Sequence, residues 1–135
     1  MLVDTVLKHK GWQYEWAIDH ERILPRGAGE KLACPLLERL ARLSVPTLVV
    51  ASYDPYVWRD ADYAREQRRL SGVVLDCARK AGFSALDLFE AIDQAVSKLG
   101  YAAVFRSSHP GPTGHRIAAE QISAALARSH IPPSR

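Results

Sequence analysis

The stretch that decides the fold is Val45-Pro46-Thr47-Leu48-Val49-Val50-Ala51-Ser52-Tyr53-Asp54-Pro55. Its middle is a continuous apolar, β-branched run bounded by proline and by polar turn residues. Such a run predicts a strand buried on both faces, the habit of strands in parallel sheets. The residues that follow supply what a parallel sheet needs, a long crossover. Over 60–81 apolar residues recur at helical spacing, with Tyr63, Gln67, Leu70, Val74, Cys77 and Ala81 on one side, and Gly82 is suited to end the helix. A second strand is predicted in Phe83-Ser84-Ala85-Leu86-Asp87-Leu88.

Outward from this unit the alternation continues. A helix is expected over about 34–43, with Pro35 in its first turn and Leu36, Leu37, Leu40 and Leu43 at helical spacing. Another is expected over 89–99 with Ile92, Val96 and Leu99 inward, and a last one over 114–128 with Ile117, Ile122, Ala125 and Leu126 inward. Tyr101 to Phe105 reads as extended, and Ser107 to Gly114 as a loop, with Thr113 as a candidate N-cap. Pro25-Arg26-Gly27-Ala28-Gly29 reads as a loop, and 131–135 as a frayed tail. For residues 1–30 the period leaves strand and helix both open, because Trp12, Tyr14 and Trp16 alternate while Trp12 and Trp16 also share a helix face. Helix, strand, helix, strand, helix is the order of an α/β layered domain.

Composition narrows the function classes. The chain has 135 residues, 47% hydrophobic and 24% charged, and a formal net charge of +3. That suits one globular domain and argues against a disordered chain. No apolar run approaches the roughly 18 residues of a membrane span. Met1-Leu2-Val3-Asp4 carries no secretory signal pattern. Arg65, Arg68 and Arg69 form the tightest basic group, but Asp60, Asp62 and Glu66 are interleaved with them, so a solvated helix face is expected and no nucleic-acid footprint. Cys34 and Cys77 have no metal-ligand spacing. Both fall in apolar helical pattern, so they are read as free core thiols in a reducing, cytoplasmic compartment.

In open α/β sheets ligands bind beyond the carboxyl ends of the strands. Two places qualify: Ser52 to Trp58 after the first strand, and the loops after the second. The most unusual stretch is Arg106-Ser107-Ser108-His109-Pro110-Gly111-Pro112-Thr113-Gly114-His115. Its proline-stiffened backbone would hold the imidazole of His109, a side chain suited to general-base work, at the sheet edge. His115 is read as a packing or capping residue of the last helix. A metal pair with His109 lacks a third ligand, and no metal or cofactor is expected.

His109-Pro110 followed by Thr113-Gly114-His115-Arg116-Ile117-Ala118-Ala119-Glu120 resembles the last block of the SGNH (GDSL-type) esterases and lipases: D-x-x-H-P, a few residues, G-H, then an apolar helix. Val45 to Tyr53 resembles the family's penultimate strand, 60–81 its crossover helix, and Ala85-Leu86-Asp87-Leu88 the strand before the histidine loop. The resemblance covers about residues 36–128, the C-terminal half of such a domain. It implies an α/β fold, a partial flavodoxin-like three-layer domain with a small parallel sheet flanked by helices. The domain would occupy 31–130, with 1–30 an N-terminal segment of open structure and 131–135 the tail.

The family transfers an acyl group to a serine, using a Gly-Asp-Ser nucleophile block, an oxyanion hole with Gly and Asn, and a histidine base oriented by an Asp. Only the base carries over, as His109. The Asp position is Arg106, no Gly-Asp-Ser occurs, and the chain has no asparagine. Without a positioned serine no acyl-enzyme forms, and loss of one oxyanion donor costs roughly 10²–10³ in rate. Asp54 and Asp87, at the predicted carboxyl edge, are candidate substitute acids, with a turn role and a helix N-terminal role as their alternatives. Ser52, Ser107 and Ser108 are near but lack a nucleophile-elbow context.

Three expectations follow. The chain is an SGNH-like fragment, from a truncated or split reading frame, inactive alone and acting on an ester only if a missing N-terminal half completes it. Or it is a non-catalytic binding or self-assembling α/β module, a homo-oligomer or the mate of a partner chain. Or it is a small α/β enzyme using His109 with Asp54 or Asp87 as a base for water.

Overall fold

Leu48–Ala51 (β1) and Ser84–Asp87 (β2) form a two-stranded parallel sheet, in the register Leu48 with Ser84 through Ala51 with Asp87. The ladder runs one step further, where the Leu88 N–H donates to the Ala51 carbonyl at 3.1 Å. The structure is a computed structural model, and residues 28–106 and 109–129 are described. The chain divides into two units, Met1–Lys31 and Leu32–Arg135. The described part of the first is the opening turn of helix α1, Ala28–Ala41. The aromatic cluster Trp12, Tyr14 and Trp16, the residues 131–135, and Ser107 and Ser108 lie outside the described residues.

The crossover is helix α2, Ala61–Lys80. Asp60 caps it, its Oδ1 accepting from the Asp62 and Tyr63 N–H groups at 3.0 and 2.9 Å. Gly82, at φ +84°, ends it. There the Gly82 N–H donates to Arg79 O and the Phe83 N–H to Ala78 O, a Schellman pairing that needs a residue tolerant of positive φ. The inward face is turned from the expected one: Leu75, Cys77 and Ala78 are buried, while Val74 is exposed.

After β2 come α3 (Phe89–Leu99), a single turn α4 (Tyr101–Val104), the short strands β3 (Phe105–Arg106) and β4 (His109–Pro110), and α5 (Pro112–Arg128). β3 and β4 are antiparallel. Opposite each other in the parallel ladder, Val50 and Leu86 pack on a cluster of Leu88, Ile92, Ala95, Val104 and Phe105, joined by Ile117 and Ala118 of α5. Ala51, one residue along and so on the other face, packs with Tyr53, Val57, Phe89, and Tyr63 and Ala64 of α2. The result is a small parallel sheet flanked by helices, a partial α/β domain.

Several expectations are corrected. β1 is half-buried throughout rather than buried on both faces, since within the described residues it pairs on one edge only. The 101–105 segment is a helical turn up to Val104. Gly100, at φ +84° and ψ 154°, breaks α3 and lets the chain restart, and the turn puts Val104 at 0% exposure. Leu99, expected inward, is exposed. The last helix starts at Pro112 with Gly111 as its N-cap, so Thr113 lies inside it. α1 begins before Pro35, which sits inside the helix, and Ala28 and Gly29 are helical rather than loop. Leu36, Leu40 and Leu43 are exposed rather than inward.

The largest correction concerns the cysteines. Cys34 of α1 and Cys77 of α2 are not free thiols but are joined as a disulfide. The reducing compartment inferred from free thiols loses that basis. No helix among the described residues is long and apolar enough to cross a membrane.

Candidate functional site

The carboxyl ends of β1 and β2 carry the groups singled out in the sequence. Asp54 follows β1 and caps a 3-10 turn, Pro55–Trp58, with Oδ1 accepting from the Tyr56 N–H at 2.7 Å. The turn residue is what the dipeptide Asp54-Pro55 specifies. Asp87 ends β2. Its Oδ1 accepts from the Phe89 N–H at 2.9 Å, at the start of α3, and its Oδ2 accepts from the Tyr53 hydroxyl at 3.1 Å. Burial raises the Tyr53 phenol above its ordinary pKa; a hydrogen bond with Ser71 works against that, and the Asp87 carboxylate adds to it. Both acids hold backbone turns rather than the histidine.

His109 lies in β4, directly across the ladder from Arg106. Its side chain is exposed and makes no hydrogen bond or ion pair with the described residues. The register explains a spacing seen in the sequence. In this hairpin the residue three before the histidine is its cross-strand neighbour, with both side chains on one face. An acid there would stand beside the imidazole, and here that place holds a guanidinium.

A cavity of about 390 Å³ opens beside the ends of the strands. It is walled by Val50, Trp58, Leu88, Ile92, Phe105, Ala118 and Ile122, with Ser52, Tyr53, Pro110, Gly114 and His115 completing the lining. The Trp58 indole N–H donates to Asp93 Oδ1 at 3.1 Å, and its ring stacks on Phe89 at 5.6 Å and tilts on Phe105 at 4.9 Å. Gly114 is fitted closely: a Cβ there would stand 2.9 Å from Val104 O. The volume is within the ordinary range for small-molecule pockets, which are mostly apolar with a few polar groups.

The cavity takes in only some of the groups that the sequence singled out. Ser52 lines the cavity, but His109, Asp54 and Asp87 do not. His115, read as a packing or capping residue, does. One signal for it was present: His115, Ala118 and Ile122 are spaced i, i+3, i+7, so the histidine, though exposed, shares the stripe of α5 that lines the cavity. The basic group on α2 is paired with carboxylates, Arg65 with Asp62, Arg69 with Glu66 and Arg68 with Glu90. Among the described residues no three His, Cys, Asp or Glu side chains gather as metal ligands. No protein-family model matches the chain, and comparison with curated proteins and with solved structures finds no match.

Proposed function

We propose that this chain is an SGNH (GDSL-type) hydrolase-like half-domain that binds through the carboxyl edge of its sheet and does not hydrolyse esters by itself. The observation that carries the reading is the state of that edge. His109 stands on the hairpin before the last helix, while Asp54 caps the 3-10 turn, Asp87 is engaged by the Phe89 N–H and the Tyr53 hydroxyl, and Arg106 occupies the cross-strand position. A base without an orienting acid or a nucleophile lacks the parts of an acyl-transfer site. The apolar cavity supports binding. Turnover of p-nitrophenyl acetate by the purified chain should match that of His109→Ala and the buffer. Robust turnover abolished by His109→Ala would overturn the reading.

A second reading, self-association, is favoured by one observation. Leu32, Leu36 and Leu40 form a stripe along α1 and are 51%, 60% and 38% exposed, and Leu43, in the turn just past its end, is 66% exposed. Cys34 lies on the other side of the helix, about 160° from the centre of the stripe. The disulfide therefore fastens α1 by one face and presents the leucines on the opposite one. A helix apolar on both faces is normally covered on both. A second copy of the chain is the occupant proposed, forming a homo-oligomer across this stripe. Sedimentation that gives a monomer at tens of micromolar, unchanged by Leu36→Glu, would count against it. The disulfide supports a compartment where such bonds persist, so cytoplasmic placement would apply to the reduced form.

A further inference from the structure

We infer that the Cys34–Cys77 disulfide is a reversible redox site whose reduction releases helix α1 from α2, independently of the hydrolase reading. The inference rests on how weakly α1 is otherwise held. No described side chain of α1 belongs to the buried core; its inward face, with Ala33, Cys34, Leu37 and Ala41, is half-buried. α1 has 14 residues, a length marginal for an isolated helix, and Pro35 removes one of its backbone hydrogen bonds. The bridge joins residues 43 apart, so a large loop opens when it breaks.

The two sulfurs differ in access. Cys77 is 4% exposed, whereas Cys34 is half-buried on the outer helix. A dithiol reductant therefore meets Cys34 first. Its thiolate attacks the Cys34 Sγ, the S–S bond breaks, and the Cys77 sulfur leaves as a thiolate and takes up a proton. The second thiol of the reductant then attacks the mixed disulfide and frees the Cys34 thiol. The reductant departs as its own disulfide, with two electrons and two protons passed to the cysteine pair. What remains after α1 departs is the sheet with α2 to α5, whose core clusters contain no α1 residue.

The test is alkylation and limited proteolysis of the purified chain. In denaturant without reductant, iodoacetamide should add nothing; after dithiothreitol it should label both cysteines. Trypsin cleavage at Lys31, Arg39 and Arg42 should accelerate at least about tenfold on reduction, since cleavage follows the population of the open form. Cleavage at Arg65, Arg68 and Arg79 of α2 should not. Reoxidation should restore the slow rate, and Cys34→Ser, on the peripheral helix, should be cut fast with or without reductant. Labelling before reduction, or an unchanged rate at the α1 sites after it, would overturn the inference.

Discussion

Substitution of Gly114 by alanine probes the joint between the hairpin and α5. A Cβ at this position would lie 2.9 Å from Val104 O and 3.1 Å from the Pro110 Cβ. Neither neighbour is the end of a flexible chain. Val104 is fully buried, and its carbonyl accepts from the Gly111 N–H at 2.8 Å. Pro110 is held by its own ring and by the ladder. The added methyl must therefore push the first turn of α5 off the hairpin. Overpacking of this kind costs about 1–3 kcal/mol. Alanine recovers up to about 1 kcal/mol over glycine in a helix, and less in a first turn. The expected net loss is about 1–2 kcal/mol. With a urea dependence of about 1–2 kcal/mol per molar, the midpoint falls by roughly 1 M. Gly72→Ala is the internal comparison, because Gly72 lies within α2 with nothing within 4 Å of its Cβ position. It should raise stability by about 0.5–1 kcal/mol. Urea unfolding followed by circular dichroism reads both. A Gly114→Ala variant as stable as the parent, or shifted in the same direction as Gly72→Ala, would refute the close-approach argument.

Tyr53→Phe removes a hydrogen bond to the Asp87 carboxylate and should cost about 1–2 kcal/mol in the same urea assay. Because the folded chain holds the Tyr53 proton more tightly than the unfolded chain, its contribution is fully present below the ordinary phenol value of 10.0 and is lost as pH rises beyond it. The parent should therefore lose stability more steeply than Tyr53→Phe above pH 10, and equal slopes would contradict the buried phenol. Trp58→Phe gives up the indole bond to Asp93 and part of the stack on Phe89 and Phe105, an expected loss of about 1–2 kcal/mol; an unchanged melting curve would be the contrary result.

The parts of the fold legible in the sequence are those that local chemistry decides. The run Leu48-Val49-Val50-Ala51 and the segment Ser84 to Asp87 are short, apolar and bounded by turn residues, and they pair in parallel. Gly82 ends α2 because its positive φ follows from glycine itself. What the sequence hides depends on neighbours. Tyr101 to Val104 has an apolar run that suits a strand, but Gly100 at positive φ and the space around Val104 select a helical turn. Pro35 suits a first turn by its own geometry, yet α1 runs through it, fastened at the adjacent residue by the disulfide. Cysteines 43 residues apart carry no local signal of pairing. At the candidate site, His109 stands out because its loop is odd, whereas His115 looks ordinary inside a helical pattern and is the one that lines the cavity.

The fate of the two acids bears on whether this edge could work as a catalytic base. An orienting carboxylate must be available to the imidazole without dismantling its surroundings. Asp87 accepts from the Phe89 N–H and the Tyr53 hydroxyl at once. Turning it toward His109 would give up the bond from the Tyr53 hydroxyl, which would keep only its hydrogen bond with Ser71, and would leave the Phe89 N–H at the start of α3 unsatisfied, a loss of about 1–3 kcal/mol for the latter. An exposed His–Asp pair returns about 0–1 kcal/mol. The balance favours the bonds that Asp87 already makes. Asp54 faces the same competition at a smaller scale, since its 2.7 Å bond to Tyr56 N–H starts the 3-10 turn that places Val57 and Trp58 in the core. The position with no competing structural duty is the one across the hairpin from His109, where a carboxylate would need no such sacrifice, and there the chain carries Arg106. The acids that could reach the edge are held by the fold, and the residue the fold leaves beside the histidine has the wrong charge for the task, which is why binding rather than hydrolysis is the activity proposed.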